Sequence, residues 1–314
     1  MPTKTKTIKK TKTATRPKSK KHLLAPGHRA CAGCGQNLAA RVVIDALGPE
    51  TIIANNTGCL EVTTSPYPES SWRVPWIHSL FENAAGVASG VEAALKQQKL
   101  NKKVKVLAQG GDGSTFDIGF GLISGMWERE EDILYVCYDN EAYSNTGMQA
   151  SGATPWGSST TTTPSGSGKE IDAIGSHQRK KDMIKIALAH GLNYVAQTTI
   201  GYLEDIKQKA VKAAATPGPA YIQIMTPCIP GWRVKPDQTL TLGRLAAQTG
   251  LYPVLEFENG ELTNVLKTPK PKIGIKKYLE LQGRFAHLFK TPQGKEQLKL
   301  IQKLADENIR KYGL

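Results

Sequence analysis

The sequence of 314 residues contains no run of eighteen apolar residues, the length that a membrane-spanning helix requires. This absence excludes a transmembrane helix. The N-terminal segment has no apolar stretch of the kind found in secretory signal peptides, so we expect a cytoplasmic protein. The chain also has no internal repeat.

Acidic residues are scarce: 27 Asp and Glu stand against 41 Lys and Arg, for a net charge of +14. The excess lies at the two ends. Residues 1–22 carry nine basic residues and no acidic one, and residues 265–314 carry a net +8, which leaves −3 for residues 23–264. A basic tail without aromatic residues is weak support for nucleic-acid binding, so we expect no nucleic-acid partner.

This charge pattern divides the chain into three predicted segments. Residues 1–22 are expected to be a solvated, disordered arm. Residues 23–250 are expected to form the domain that carries the chemistry. Residues 251–314 are expected to be a C-terminal extension that docks on a partner, ending in an amphipathic helix over Lys295–Tyr312.

The chain has only five cysteines, an odd number that argues against a disulfide framework in a cytoplasmic protein. Cys31 and Cys34 form a C-x2-C pair on a glycine-containing turn. Cys59 follows one predicted strand and Cys228 follows another, so these thiols can meet at one sheet edge. Spacing alone leaves open an iron–sulfur cluster, which we favour, and a zinc ion. Cys137 lies within a predicted strand and is expected to be a buried core residue.

Short β-branched segments alternate with amphipathic ones along the chain. The pattern predicts strands at Thr51–Asn55, Val104–Ala108, Ile133–Tyr138, Tyr194–Gln197 and Ala220–Met225. It predicts helices at Gln36–Leu47, Glu82–Lys96, Gly119–Glu128, Lys181–His190 and Tyr202–Ala214. This alternation is typical of an α/β fold with an open, mostly parallel sheet and helices on both faces. The segment Ser151–Ser176, rich in Ser, Thr and Gly, is expected to be a long loop, either a lid or a surface excursion.

The most informative segment runs from residue 104 to residue 145. A predicted strand leads into Gly110-Gly111-Asp112-Gly113, and the next strand ends at Asn140. Glycines let a ligand approach the backbone closely, while a carboxylate and an amide oxygen suit Mg²⁺ bound to a diphosphate. Because both strand ends meet at one edge, the pattern predicts a magnesium–diphosphate site there. The alternative is an ordinary strand-to-helix turn with Asp112 as the helix cap.

These residues resemble a known family. Gly-Asp-Gly, 26 further residues and then Asn is similar to the thiamine diphosphate signature. The flanking stretches GGDGSTFDIGFGL and YDNEAYSNTGMQASGATP, with GHRACAGCG near the start, resemble the β subunits of 2-oxoacid:ferredoxin oxidoreductases. The pyruvate enzymes are the most similar, and the resemblance spans about Gly27 to Trp232.

The resemblance implies a thiamine diphosphate-binding fold and specific ligands. Cys31, Cys34, Cys59 and Cys228 would bind one [4Fe–4S] cluster. Asp112, Asn140 and the carbonyl of Ala142 would bind Mg²⁺. Asn145 would face the reactive end of thiamine diphosphate as the catalytic residue. Gly111, Gly113 and Thr146 would line the diphosphate pocket. The family often has Glu where this chain has Gln36, which leaves a cofactor contact by Gln36 open.

The resemblance also implies the reaction and the partners. Thiamine chemistry would decarboxylate pyruvate, CoA would accept the acyl group, and electrons would pass through the cluster to ferredoxin. An α subunit would supply substrate contacts and the glutamate that promotes the thiamine ylide; γ and ferredoxin-like δ subunits, or a fused form, would complete the enzyme. Substrates such as 2-oxoisovalerate or oxalate remain open, and oxalate would need no CoA. Rival interpretations are a zinc-binding scaffold with basic ends that bind nucleic acid and a thiamine decarboxylase without redox chemistry.

Three aromatic or imidazole side chains near these motifs are expected to be structural. His28 precedes the C-x2-C pair, but four cysteines already complete a cluster. Trp72 and Trp76 are expected to pack in the fold or to cover the cofactor.

Overall fold

A computed structural model describes residues 21–66, 70–168 and 171–314. Nearly all of the predicted arm 1–22 lies outside these residues. Eight strands form one sheet in the order β10-β9-β7-β8-β4-β3-β1-β2. The strands are β1 Thr51–Asn55, β2 Trp76–His78, β3 Lys105–Gly111, β4 Ile133–Asp139, β7 Tyr194–Thr199, β8 Ala220–Met225, β9 Leu255–Glu258 and β10 Glu261–Val265.

The six strands from β7 to β2 in this order are parallel to their neighbours, and β9 and β10 are antiparallel. All five predicted strands are therefore present in a mostly parallel sheet, as predicted. β3 continues three residues beyond the predicted end at Ala108 because the buried Gln109 and the two glycines that follow remain paired with β4.

Helices cover both faces of the sheet, as predicted. The principal ones are α1 Gly35–Leu47, α2 Cys59–Thr64, α3 Ala84–Gln97, α4 Phe120–Glu128, α5 Met183–Ala189, α6 Leu203–Ala215, α7 Ile229–Trp232, α8 Thr239–Gln248, α9 Lys276–Leu279 and α10 Pro292–Tyr312. A π-helical segment, Gly113–Ile118, leads into α4, so the predicted helix start at Gly119 is a junction between two helix types.

Alternating residues of β4 show how the two faces are filled. Ile133, Tyr135 and Cys137 join the apolar cluster that contains α3, α4 and α5. Leu134, Val136 and Tyr138 join the cluster on the opposite face, with α1 and α6. The period of two places successive side chains on opposite faces of the sheet. Cys137 is fully buried in this core, as predicted.

Residues 251–314, predicted as an extension, pack on the same structure. β9 pairs with β7, so the sheet crosses the predicted boundary at residue 250. The β9–β10 hairpin turns at Asn259-Gly260, where both residues have positive φ (52° and 83°). This dipeptide is a known hairpin signal between apolar segments, and it marks strands that the alternation pattern missed. The C-terminal helix α10 buries Ile301 and Ala305 in a third apolar cluster.

Within the predicted loop Ser151–Ser176, the structure has a small hairpin, β5 Ser165–Gly168 and β6 Ile171–Ile174. The other described residues of this loop have no regular structure. No helix in the described parts of the chain is both long and apolar enough to cross a membrane.

Candidate active site

One pocket opens where β1, β3 and β4 end. These strands are parallel neighbours, so their carboxyl ends bring three loops to one edge of the sheet. All of the predicted cofactor residues line this pocket, and Cys59 lines it too. The predicted cofactor residues are Gln36, Gly111, Asp112, Gly113, Asn140, Ala142, Asn145 and Thr146. The structure thus brings together residues that are up to 110 positions apart in the sequence.

The glycines of the pocket have different roles. A Cβ atom on Gly113 would lie 2.4 Å from the ring of Tyr143, and one on Gly110 would lie 2.5 Å from the amide nitrogen of Asn56. Both positions therefore need glycine for close packing. A Cβ atom on Gly111 would meet no described atom within 4 Å. The backbone at Gly111 therefore borders open space in which a ligand can approach it.

Asp112 is completely buried at the base of the pocket. One of its carboxylate oxygens accepts a hydrogen bond from the Ser151 hydroxyl at 2.5 Å, and the other accepts one from the backbone N–H of Asn140 at 3.1 Å. Burial, followed by the nearby Asp139 carboxylate, raises the pKa of Asp112 to about 8. Burial disfavours the charged form of this carboxylate, and a cation bound beside it would stabilise that form.

Oxygen atoms of three predicted magnesium ligands face one point. One terminal atom of the Asn140 amide lies 3.3 Å from Oδ1 of Asp112 and 2.8 Å from the carbonyl oxygen of Ala142. In the structure this atom is the amide oxygen, and rotating the amide by 180° would place its nitrogen there, where it could donate to both oxygens. Three oxygens that face one another repel unless a cation lies between them. Mg²⁺ binds oxygens at about 2.1 Å in an octahedron, which puts adjacent ligands about 3 Å apart. The donor set therefore fits Mg²⁺.

The C-x2-C segment forms a tight turn beside the pocket. The backbone N–H of Cys34 donates to the carbonyl of Cys31 at 3.1 Å. Gly33 has a φ of 75°, and a Cβ atom there would lie 2.2 Å from the carbonyl oxygen of Pro236. Only glycine fits this position, because the turn packs directly on the segment that precedes α8.

The four predicted cluster cysteines lie in one neighbourhood. Cys59 begins α2 and Cys228 immediately precedes α7. Burial, followed by Cys228, Cys34 and Cys31 in that order of size, raises the pKa of the Cys59 thiol to about 12. Within residues 21–66, 70–168 and 171–314, however, no three His, Cys, Asp or Glu side chains are close enough together to hold a metal ion. The thiols are neighbours without being closed around one ion.

The turn at Ser144 and Asn145 connects the cysteines with the pocket. The Cys59 sulfur lies 3.8 Å from Oδ1 of Asn145. The Ser144 hydroxyl lies 2.5 Å from the Asn140 amide, and it opposes the rise that burial gives to the pKa of the Cys228 thiol. A cofactor in the pocket and a group held by the cysteines would therefore share this turn as a common wall.

A buried ionic network supports the loop after β4, and sequence analysis missed it. Lys180 pairs with Asp139 at 2.5 Å and with Glu141 at 2.9 Å, while Arg284 pairs with Glu141 at 2.6 Å. Burial raises the pKa of Glu141, but Lys180 and Arg284 outweigh it, so the net pKa is lowered. The partners are up to 143 positions apart, and no local sequence pattern joins them.

Trp232 completes this support. The Arg284 guanidinium lies 3.6 Å from the centre of the Trp232 ring, and the indole N–H donates to the Asn140 carbonyl at 2.8 Å. Glu141 is therefore held by Lys180 and Arg284, and Asn140 is held by Trp232. A loop fixed in this way presents its amide and carbonyl oxygens in one geometry.

The residues expected to be structural pack near the cysteine loop. His28 contacts Arg41 at 3.2 Å, and its pKa is lowered by burial and then by Arg41. Trp72 is buried, and its indole N–H donates to Thr64 at 2.9 Å. Trp76 stacks on His78 with ring centres 6.0 Å apart.

Comparison with known proteins assigns the pocket to a family. Residues 56–224 match the family described as thiamine pyrophosphate enzyme, C-terminal TPP binding domain. This region contains Asp112 and Asn140, but Cys31, Cys34 and Cys228 lie outside it.

Curated relatives extend the match over nearly the whole chain. The pyruvate synthase subunit PorB of Methanocaldococcus jannaschii is 50% identical over 296 residues, covering 92% of this chain and 96% of the relative. The ketoisovalerate oxidoreductase subunit VorB of Pyrococcus abyssi is 42% identical, covering 88% of each. A solved 2-oxoglutarate:ferredoxin oxidoreductase from Magnetococcus marinus shares the fold, with a TM-score of 0.53 at 23% identity, over 68% of this chain and 76% of that one. The chain therefore belongs to the 2-oxoacid:ferredoxin oxidoreductase family, as a thiamine pyrophosphate-dependent β subunit similar to those of pyruvate synthases.

Proposed function

We propose that this chain forms the thiamine diphosphate and cluster-binding subunit of an enzyme that oxidatively decarboxylates pyruvate. CoA accepts the acetyl group, carbon dioxide leaves, and two electrons pass one at a time through a [4Fe–4S] cluster to ferredoxin. The observation that carries the proposal is the shared wall at residues 144–145, which places the oxygen donors of Asp112, Asn140 and Ala142 beside the cysteine group.

The residues of the pocket have defined tasks in this proposal. Asp112, Asn140 and Ala142 hold Mg²⁺, and the open backbone at Gly111 borders the diphosphate. Bound thiamine diphosphate supplies the carbanion and the electron sink for decarboxylation. Asn145 and Thr146 are exposed at the mouth of the pocket, where Asn145 can orient a substrate group. Gln36 is buried in the pocket wall, which supports a contact with the cofactor.

The cysteine spacing favours a cluster over a single zinc ion. Zinc binds thiolates at about 2.3 Å, so its four sulfurs must approach within about 4 Å of one another. A four-iron cluster places its own iron and sulfide atoms between the protein sulfurs and holds them farther apart. A C-x2-C pair with two distant single cysteines suits the larger group, since zinc sites usually use two close pairs.

The pocket also supports the expected division of labour with an α subunit. Among the described residues that line it, only Asp112 carries a carboxylate, and Asp112 belongs to the magnesium set. The glutamate that promotes the thiamine ylide then comes from the partner. The partner also supplies most substrate contacts, and γ and ferredoxin-like δ subunits, or a fused form, complete the path to ferredoxin.

Pyruvate is the proposed substrate because the relative at 50% identity is a pyruvate synthase subunit, whereas the ketoisovalerate subunit is 42% identical. The test is anaerobic reconstitution with the co-purifying subunits, thiamine diphosphate, Mg²⁺ and CoA. Viologen reduction is then measured with pyruvate, 2-oxoisovalerate, 2-oxoglutarate and oxalate. We expect the highest kcat/KM with pyruvate. A preference for 2-oxoisovalerate or oxalate would refute the assigned substrate, and turnover without any electron acceptor would refute the redox step.

A further inference from the structure

Met148 has a backbone conformation that residues with a Cβ atom rarely adopt. Its φ is 67°, in the left-handed region. Two hydrogen bonds hold it there: the Met148 N–H donates to the Tyr143 carbonyl at 2.9 Å, and the Met148 carbonyl accepts from the N–H of Thr161 at 3.0 Å. Strained conformations persist only where the surrounding structure fixes them, and they cluster at functional sites. The strain therefore places the Met148 side chain at one position.

At that position the thioether lies against the segment that carries Cys228. A Cβ atom added at Gly231 would overlap the Sδ and Cε atoms of Met148, and it would lie 3.2 Å from the sulfur of Cys228. The methionine therefore fills the space that a side chain of residue 231 would take beside the thiol. Residues 145–147, at the tip of the same loop, are exposed, whereas Met148 is partly buried. Met148 thus joins the loop at the pocket to the segment of one proposed cluster ligand.

We propose that Met148 is a positioning residue whose thioether covers the Cys228 side of the cysteine group and keeps water away from it. The inference rests on the proposed function, in which these cysteines hold a [4Fe–4S] cluster. A reduced cluster carries one more negative charge than an oxidised one, and water stabilises that charge. Because cluster potentials depend on solvent exposure, an apolar cover holds the reduction potential low. A lower potential makes the reduced cluster a stronger electron donor to ferredoxin.

The cover is tested first in the full-length chain before cluster assembly, where the proposed function has no part. Iodoacetamide labels thiols at rates that follow their exposure and thiolate content, and mass spectrometry reports each cysteine separately. Met148→Ala and Met148→Gly should each raise the labelling rate of Cys228 by about threefold or more, while the exposed Cys31 changes by less than about twofold. Met148→Leu keeps an apolar side chain of similar volume and should label like the unchanged chain. An unchanged Cys228 rate in Met148→Ala would overturn the proposal.

The effect on the cluster is measured in the anaerobically assembled enzyme, by redox titration followed with electron paramagnetic resonance. The signal of this cluster is the one that Cys59→Ser removes. In Met148→Ala and in Met148→Gly the ratio of reduced to oxidised cluster at a fixed potential should rise about tenfold, which is a shift of about 59 mV for one electron. Equal shifts are expected because both variants remove the same cover. Met148→Leu should keep the potential of the unchanged enzyme.

Thermal unfolding separates the cover from a general loss of stability. Glycine adopts a positive φ without steric cost, so Met148→Gly should have a higher Tm than Met148→Ala although their potentials agree. Met126→Ala is a matched control, because Met126 is fully buried in the apolar core with α3, α4 and α5. It should lower the Tm without moving the potential.

Three results would overturn the proposal: a potential that does not change in Met148→Ala, a shift as large in Met126→Ala, or a shift as large in Met148→Leu. An assembled enzyme without four irons at this site would instead refute the proposed function, and the labelling of Cys228 would then decide the cover alone.

Discussion

The indole N–H of Trp232 donates a hydrogen bond of 2.8 Å to the backbone carbonyl of Asn140, although 92 positions separate the two residues. This bond joins the segment after β8, which carries Cys228, to the loop after β4, which carries the proposed magnesium donors. Both segments leave the carboxyl edge of the sheet side by side because β4 and β8 are neighbouring parallel strands. The geometry of this loop therefore depends on a residue that does not line the pocket.

Trp232→Phe tests this dependence. The change keeps most of the packing but leaves the Asn140 carbonyl without its donor, at a cost of about 1–3 kcal/mol. We expect a higher Kd for thiamine diphosphate with Mg²⁺, measured by calorimetry. Trp127→Phe is a matched control, because Trp127 is equally buried and its indole nitrogen has no hydrogen-bond partner among the described residues. An equal rise in Kd for both variants would show that the hydrogen bond is not responsible.

Asp112→Ala tests the metal site separately from the cysteine site. The variant removes the single carboxylate of the proposed magnesium set, so thiamine diphosphate should be lost on gel filtration while the iron of the proposed cluster remains. Asp132→Ala, which changes a surface carboxylate outside the pocket, should retain both. Cofactor content is measured by chromatography and iron by elemental analysis. Parallel loss of cofactor and iron from Asp112→Ala would indicate a folding defect instead of a lost ligand.

Two cysteine variants separate a ligand from a core residue. Cys59→Ser should remove most of the iron, because Cys59 belongs to the cysteine group beside the pocket. Cys137→Ser should keep the iron, because Cys137 is fully buried in the apolar core with α3, α4 and α5. Burying the serine hydroxyl should lower the free energy of unfolding by about 1–3 kcal/mol. This cost should appear only as a lower Tm. A loss of iron from Cys137→Ser would contradict the proposed ligand set.

Two glycine variants distinguish packing from ligand space. Gly113→Ala should lower the Tm, because its methyl group would lie within 3 Å of the Tyr143 ring. Gly111→Ala should leave the Tm nearly unchanged, because its methyl group would enter open space in the pocket. That methyl group should still weaken thiamine diphosphate binding. If Gly111→Ala binds the cofactor normally, the diphosphate does not lie against this backbone.

The sequence predicted the parts of the fold that local pattern determines. The strands β1 and β8 have the predicted bounds, since a buried parallel strand is a short β-branched run bounded by polar or turn residues. Asp112 and Asn140 were predicted to meet because each follows a strand of one βαβ unit. The three-residue β2 gives too short a pattern to recognise, whereas the β9–β10 hairpin had a turn signal at Asn259-Gly260 that was overlooked.

The supporting network could not be predicted in this way. Lys180 lies in a run of charged residues, which is typical of a solvent-exposed segment. Arg284 lies in a segment predicted to be an extension. Their burial around Glu141 follows from tertiary packing across 39 and 143 positions. Such contacts leave no periodic signal, because they depend on which loops the sheet order places side by side.

The central claim is that one β subunit places a thiamine site and a four-iron cluster on a shared wall, so that electrons released at the first pass directly to the second. The most direct measurement is electron paramagnetic resonance of the anaerobically assembled enzyme, frozen after pyruvate is added. We predict about four irons per chain assigned to this site and a reduced-cluster signal that forms with pyruvate but not in Asp112→Ala. Cysteines that bind one zinc ion, or a cluster that stays oxidised while pyruvate is decarboxylated, would contradict the account.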